Sequence, residues 1–395
     1  MNLWKRASGV LKDQTSIWLT SFSKRTSQRN PDIDVAVIKS TSHNDSRVDY
    51  RNAQRVFAWV RVSPAYLKPL VLAIAVRIQK THSWVVALKG LMLMHGVFSC
   101  RVPAVQMIGR LPFDLSSFKD RHFKHGEKRD HDTFVQAYYC FLDCKSSFLY
   151  AHSQEQYKGQ LRKVAADQDE QKTSTSMMQC LKWLQEMQVL LDMLMEIKPR
   201  SETMVENLIL EAMDCVIIEI FDVYSRICSG ISAVLFQICS AGKVEASMGL
   251  KILHKANVQG KELCMYIEFC RELGVNNAAN FPGVKHIAEE DIRMLEHIIS
   301  EATDRGNEQN NDTAEGSLTM VTLESKIDEQ NESGRHSLQT RVTEQWEAFD
   351  EDHSKFFVMG EEVAKSREEH LKALIPLIDI HAHGNKTEFP NLISL

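Results

Sequence analysis

Residues 84–98 read WVVALKGLMLMHGVF, and this stretch decides the fold class. Its apolar side chains run nearly all the way round a helical projection, as expected of a helix buried inside a stack of others. The segments before and after it also read as helices. One begins at Val35, Ala36, Ile38 and Lys39, a second is Tyr50 to Arg61 (YRNAQRVFAWVR), and a third runs from Tyr66 to Lys80 after Pro64. Phe134 to Tyr150 (FVQAYYCFLDCKSSFLY) is similarly rich in apolar residues. There is no run of alternating strands, no Asn-Gly hairpin between such runs and no βαβ rhythm. The sequence predicts an all-α protein.

A polar stretch, residues 153–176 (DQDEQKTSTS within it), is expected to be a linker to a second helical unit. There Met177, Cys180/Leu181, Leu184, Met187, Leu190/Leu191 and Leu194 form one periodic face. Helices are expected over Glu202–Ala241, Ala246–Leu273 and Glu289–Ala302, lengths typical of extended bundles and solenoids. The 16 methionines read as pliable core filling. Residues 304–341 are rich in Glu, Asn, Ser and Thr with few large apolar residues, the composition of a disordered segment. A further helix is expected near 344–375. The predicted organisation is a basic segment (1–30), a helical solenoid (31–152), a linker (153–176), a second helical half (177–302) and an acidic, mostly disordered tail (303–395).

A chain of 395 residues that is 44% hydrophobic, with only 9 prolines and 17 glycines, can bury a core and is neither collagen-like nor wholly disordered. No uncharged apolar run reaches about 18 residues, so no spanning helix is expected. The first residues lack the apolar region of a secretory signal. Nine scattered cysteines without a CxxC pair suggest reduced thiols in a cytosolic setting. The formal charge of −5 conceals segregation: residues 1–150 hold 23 Lys/Arg against 11 Asp/Glu, residues 151–300 hold 15 against 21, and residues 301–395 hold 9 against 20. A basic first part fits a polyanion, either lipid headgroups or nucleic acid, and charge blocks also keep helical proteins soluble.

Within residues 1–30, Leu3/Trp4, Ala7, Val10/Leu11, Ile17/Trp18 and Phe22 fall near helical spacing among Lys5, Arg6 and Lys12. That is the pattern of a helix lying in a membrane interface, or of a first helix packed on its domain. Groups that could carry chemistry are few. His122, His125 and His131 match no zinc spacing and read as a solvated loop, and His381/His383 read the same way. Cys140 and Cys144 lie one helical turn apart and are expected to be buried. His95, inside the apolar helix, is expected to be buried and hydrogen-bonded. GxxxxGK[ST], HExxH and GxSxG are absent. The sequence predicts no catalytic site, no metal site and no cofactor.

Four stretches together resemble the ANTH-domain clathrin assembly adaptors of plants. They are residues 35–60, 84–98, 113–145 (FDLSSF…FVQAYYCFLDCK) and 177–300, with LLDMLMEIKP, EAMDCVIIEIFDVY and KANVQGKELCMYIEFCRELGV in the last. The resemblance implies a stack of helix pairs continued by a longer bundle. It also implies binding of phosphatidylinositol 4,5-bisphosphate or another anionic phosphoinositide near the N-terminal end. The expected partners are clathrin heavy chain, an adaptor complex and an R-SNARE cargo helix, with no nucleic acid.

The family's lipid motif is Lys or Gly, Ala, Thr or Ile, six variable residues, Pro, Leu or Val, then Lys-x-Lys-His/Tyr. Here the register gives Lys39, Ser40, Thr41, residues 42–47, Val48, Asp49, Tyr50, Arg51 and Asn52. Lys39, Thr41 and Val48 match and Arg51 keeps the second basic position, whereas Asp49 and Asn52 depart. The lipid-binding residues the resemblance implies are Lys39, Thr41, His43, Arg47 and Arg51. An acid at 49 removes one cation and repels phosphate, so weaker or less selective headgroup binding is expected, with general basicity contributing more.

The tail lacks Asp-Pro-Phe and Asn-Pro-Phe motifs. Clathrin-box peptides lie extended with alternate apolar side chains in a groove, and Leu374, Ile375, Leu377 and Asp379, or Leu392, Ile393 and Leu395, nearly fit. The function these features imply is an endocytic adaptor at plasma-membrane clathrin-coated pits, on coated vesicles and at the Golgi. The alternative is a helical protein-interaction scaffold with weak or no lipid binding.

Overall fold

A computed structural model describes residues 3–22, 30–121, 130–165, 172–201, 204–235, 242–284, 292–293 and 296–297. The described residues form α1 (Leu3–Ser21), α2 (Pro31–Ser40), α3 (Tyr50–Val62), a 3-10 turn (Pro64–Tyr66), α4 (Leu67–Lys80), α5 (Trp84–Ser99) and α6 (Pro103–Gln106). They continue as α7 (Asp130–Ala165), α8 (Lys172–Met195), α9 (Asn207–Leu235), α10 (Lys243–Glu272) and α11 (Asn276–Ala279). No strand occurs among them, as the periodicity predicts. The tail, including the helix expected near 344–375, lies outside the described residues.

Local chemistry sets the helix ends. Asn30 caps α2 by accepting from the Asp32 backbone N–H at 3.1 Å, with Pro31 in the first turn, where its missing donor costs nothing. At the far end of α10, Gly274 takes φ 79°, and its N–H reaches Arg271 O while the Val275 N–H reaches Cys270 O. These two bonds form a Schellman stop, and the accompanying apolar pair, Val275 and Cys270, is buried.

α5 is the centre of the first half. Of its 16 residues, 14 are buried, as its all-round apolarity implies. α3, α4, α7 and α9 pack around it. Gly96 lets this happen at close range: a Cβ there would collide with the Phe57 ring of α3. One contiguous apolar core then continues through α8, α9 and α10.

The polar stretch 153–176, expected as a linker, is instead helical over 153–165 and 172–176, because α7 runs on to Ala165 and α8 starts at Lys172. Gln, Glu, Lys and Arg are good helix formers, so polarity there does not end the helix. α9 (Asn207–Leu235) begins later than expected, since residues 204–206 are not α-helical, and the expected stretch 236–241 lies outside the described residues. Charge ties α9 to the first half. Glu219 Oε2 lies 2.6 Å from Lys145 Nζ (α7) and accepts from His95 Nε2 (α5) at 3.0 Å, while His95 Nδ1 lies 2.7 Å from the Tyr138 hydroxyl.

Candidate functional site

The loop between α2 and α3, residues 41–49, carries the motif and is built around groups far away in sequence. Thr41 is fully buried and donates to Val37 O at 2.6 Å, so it terminates α2 and offers nothing to a ligand. Arg77 of α4 donates to the Thr41 hydroxyl (3.2 Å) and carbonyl (3.0 Å). His43 is half-buried. Its backbone N–H donates to Asp13 Oδ2 at 2.9 Å, and its Nδ1 is 2.8 Å from Asp13 Oδ1, so Nδ1 carries the proton. Lys39, Arg47 and Arg51 are exposed. Of the five residues the resemblance implied, the structure presents these three to solvent and turns Thr41 and most of His43 to internal work.

Lys89 was not singled out by sequence, although it is the one charged residue in 84–98. Only 1% exposed, its ammonium donates to Asn44 O (2.5 Å), Arg47 O (2.7 Å) and Ser42 Oγ (3.4 Å), so the loop is wrapped over a buried cation. Burial lowers its pKa to about 8, with Glu211, Asp13, Asp45 and Asp49 opposing the fall. Glu211 of α9 completes the frame by accepting from the Val48 N–H at 3.2 Å.

The two departures from the family motif form one capping unit. Asp49 caps α3 by accepting from the Asn52 N–H (3.2 Å), and the Asn52 side chain donates back to Asp49 Oδ2 at 2.7 Å. The carboxylate that replaces a lysine therefore serves the positive end of a helix, where negative charge is favoured.

α1 is docked with its polar side inward. Gly9, Asp13 and Thr20 are buried, while Val10, Leu11, Trp18, Leu19 and Phe22 are each at least half exposed. Asp13 joins it to the body through His43 and through Arg77 Nη2 at 2.5 Å. Burial alone would raise the Asp13 pKa, but His43 and Arg77 hold it below the ordinary carboxylate range.

The remaining candidates resolve simply. His95 is buried and hydrogen-bonded as expected, and burial lowers its pKa. His131 is not in a solvated loop: it is buried at the start of α7, with its ring 4.2 Å from that of Trp84. Cys140 is exposed rather than buried, because α7 turns that face outward, and Cys144 is half-buried. Among the described residues no cluster of His, Cys, Asp or Glu could hold a metal, and no helix is long and apolar enough to cross a membrane. His122, His125, His381, His383, Leu374, Ile375, Leu377, Asp379, Leu392, Ile393 and Leu395 lie outside the described residues.

Comparison with known proteins gives one consistent result. The sequence model of the ANTH domain matches residues 32–301. The chain is 45% identical to "Putative clathrin assembly protein At1g25240" of Arabidopsis thaliana over 353 residues, 89% of this chain and 88% of that protein. Two further Arabidopsis thaliana proteins of the same designation are similar. At1g68110 is 42% identical over 90% of both chains, and At1g14686 is 39% identical over 78% of this chain and 85% of its own.

Proposed function

The chain belongs to the ANTH-domain family of clathrin assembly proteins, a family of adaptors and not of enzymes, and on that premise we propose that it attaches to anionic membrane surfaces and links them to clathrin. The observation that supports this reading most is the joining of two membrane-seeking features. The exposed cations Lys39, Arg47 and Arg51 border a loop to which α1 is fastened, and α1 turns Leu11, Trp18 and Leu19 outward, with Phe22 exposed just after its end. Basic residues near an anionic leaflet are worth about 1 kcal/mol each, and an amphipathic helix adds its buried apolar area. The ligand is a phosphatidylinositol 4,5-bisphosphate or related phosphoinositide headgroup. The site of action is the cytosolic face of the plasma membrane at coated pits, with coated vesicles and the Golgi as further stations.

Lys39→Gln combined with Arg51→Gln is expected to weaken sedimentation with vesicles containing the bisphosphorylated lipid by about thirtyfold, the equivalent of two lost surface cations. Binding should also fall steeply with added salt. Unchanged binding would remove these residues from the site, and capture of protein partners without any vesicle binding would favour a pure interaction scaffold.

Clathrin attachment is proposed for the apolar strings of the tail, Leu374–Asp379 and Leu392–Leu395. A chain ending at Lys372 is expected to lose capture by the clathrin heavy-chain terminal domain that the full chain shows. Equal capture by both would place the contact elsewhere. An adaptor complex and an R-SNARE helix complete the proposed partners.

A further inference from the structure

α3 packs against α2, α4, α5 and the 3-10 turn, and its opposite side is left to solvent. Arg51, Arg55, Ala58 and Val62 recur at helical spacing and are all exposed, so they form one stripe along that side. Val62 is 77% exposed. Half-buried Trp59 flanks the stripe on one edge and exposed Arg61 on the other. The Arg55 guanidinium lies over the Trp59 ring, 5.3 Å from its centroid, and the Tyr66 ring of the 3-10 turn lies 6.5 Å from that of Trp59. No carboxylate pairs with Arg55 or Arg61 among the described residues. Arg, Trp and Tyr are the residues that carry most binding energy at protein interfaces, and here they surround an uncovered valine.

The chain itself supplies a segment of matching chemistry. Residues 344–352 read EQWEAFDED, in which Glu344, Glu347, Asp350, Glu351 and Asp352 surround Trp346 and Phe349 with no base among them. Residues 1–150 hold 23 Lys/Arg against 11 Asp/Glu and residues 301–395 hold 9 against 20, so the long-range field draws this segment toward the first half. On a helix, Trp346, Phe349 and Asp350 share one face. Reach is ample. From His297, the last described residue, to Trp346 the chain can span about 3.5 Å per residue, whereas α10, with 30 residues, is only about 45 Å long. Because the segment is tethered, contacts too weak to hold two separate molecules suffice.

We propose that the outer side of α3, with Arg55, Trp59, Arg61, Val62 and Tyr66, is a docking surface for residues 344–352 of the same chain. Arg55 and Arg61 pair with its carboxylates, and Trp346 and Phe349 lie against Val62 and the two rings. The inference is separate from the membrane reading and requires no lipid. While docked, the two aromatic residues are withheld from other proteins, and any acidic, aromatic segment of a partner must displace them to use α3.

The test uses the full chain with the photo-crosslinker p-benzoylphenylalanine in place of Val62, whose side chain already stands in solvent. Irradiation, trypsin and mass spectrometry should join α3 to the peptide Val342–Lys355, which trypsin releases whole because Arg341 precedes it. The yield should fall about tenfold on combining Arg55→Glu with Arg61→Glu, the equivalent of two or three exposed ion pairs. Trp346→Ala with Phe349→Ala should reduce it comparably. Adding Glu347→Lys and Asp350→Lys to the two arginine reversals should restore the yield, which a direct charge contact does and a damaged body does not. If circular dichroism shows the arginine variant unfolded, the tail substitutions carry the test, since they leave every described residue untouched.

A cross-link to any other peptide, or none, overturns the proposal, as does an undiminished yield after Trp346→Ala with Phe349→Ala. An equal mixture of isotope-labelled and unlabelled chains identifies the source of the segment. Joined peptides that carry one isotope throughout support docking within a chain. Mixed pairs overturn it and assign the α3 surface to the tail of a second copy.

Discussion

Replacing Glu219 with alanine is expected to destabilise the protein by about 3–5 kcal/mol, the usual cost of breaking a buried ion pair from one side. For a domain of this size that lowers the unfolding midpoint by about 10 °C, read by circular dichroism. Glu219 receives the Lys145 ammonium and the His95 Nε2–H on one oxygen, and all three side chains are nearly sealed from water. Lys145 also lies over the Phe98 and Phe141 rings, 5.9 and 6.0 Å from their centroids, and those weak contacts cannot replace a carboxylate. Without Glu219 the ammonium is buried and uncompensated at the junction of α5, α7 and α9. A change of a degree or two would show that the network does not hold these helices together.

The same network fixes how stability responds to acid. Burial depresses His95, and the nearby Lys145 charge adds to this, so the ring stays neutral in the fold. The unfolded chain protonates it near 6.5, binds more protons than the native state below that pH, and is favoured as pH falls. Burial would raise the Glu219 pKa, but Lys145 and His95 hold it far below the ordinary 4.5, so its contribution is present above 4.5 and is lost as pH falls through the native value. The parent should therefore lose stability in two steps, from about 6.5 and again from about 4.5. Glu219→Gln should keep the first and lose the second.

How much of this could be read beforehand differs between fold and site. The all-round apolarity of 84–98 determines that α5 is central, because no other placement hides that many apolar side chains. The extents of α7 and α8 were obscured because residues 153–176 are polar without being poor helix formers. Of the motif residues that the resemblance implied, Lys39, Arg47 and Arg51 are exposed, as isolated charged side chains ordinarily are. Asp13, Arg77, Lys89 and Glu211 reach the loop from four separate helices, and periodicity says nothing about such meetings. Lys89 alone left a trace, a lone charge in an apolar helix, which must find partners or lose its proton. The hydrophobic pattern of α1 was equally visible, but its direction was not: a helix packed on its domain ordinarily turns tryptophan and leucine inward, and this one turns Asp13 inward because Arg77 and His43 await it.

Lys89→Met is expected to separate stability from membrane binding. The substitution leaves Asn44 O, Arg47 O and Ser42 Oγ without a charged donor, and hydrogen bonds to charged groups are worth about 1.5–3 kcal/mol each. Removing a buried charge of similar volume recovers its desolvation cost, so the thermal midpoint should move by only a few degrees. The loop, however, loses what shapes it. If its competent form falls to about 1% of the population, affinity for vesicles containing the bisphosphorylated lipid falls about a hundredfold. The pH response supplies a signature that a merely structural lysine would not give. With a native pKa of about 8 against 10.5 in the unfolded chain, Lys89 is bound by more protons when unfolded between those values, so its effect on stability becomes more favourable as pH rises from 8 to 10.5. Across the lower part of that window the loop loses the cation beneath it, and vesicle binding should weaken. Stability rising while affinity falls, with both trends absent in Lys89→Met, is the expected result. Parallel pH profiles for parent and variant would show that the buried ammonium does not govern the loop.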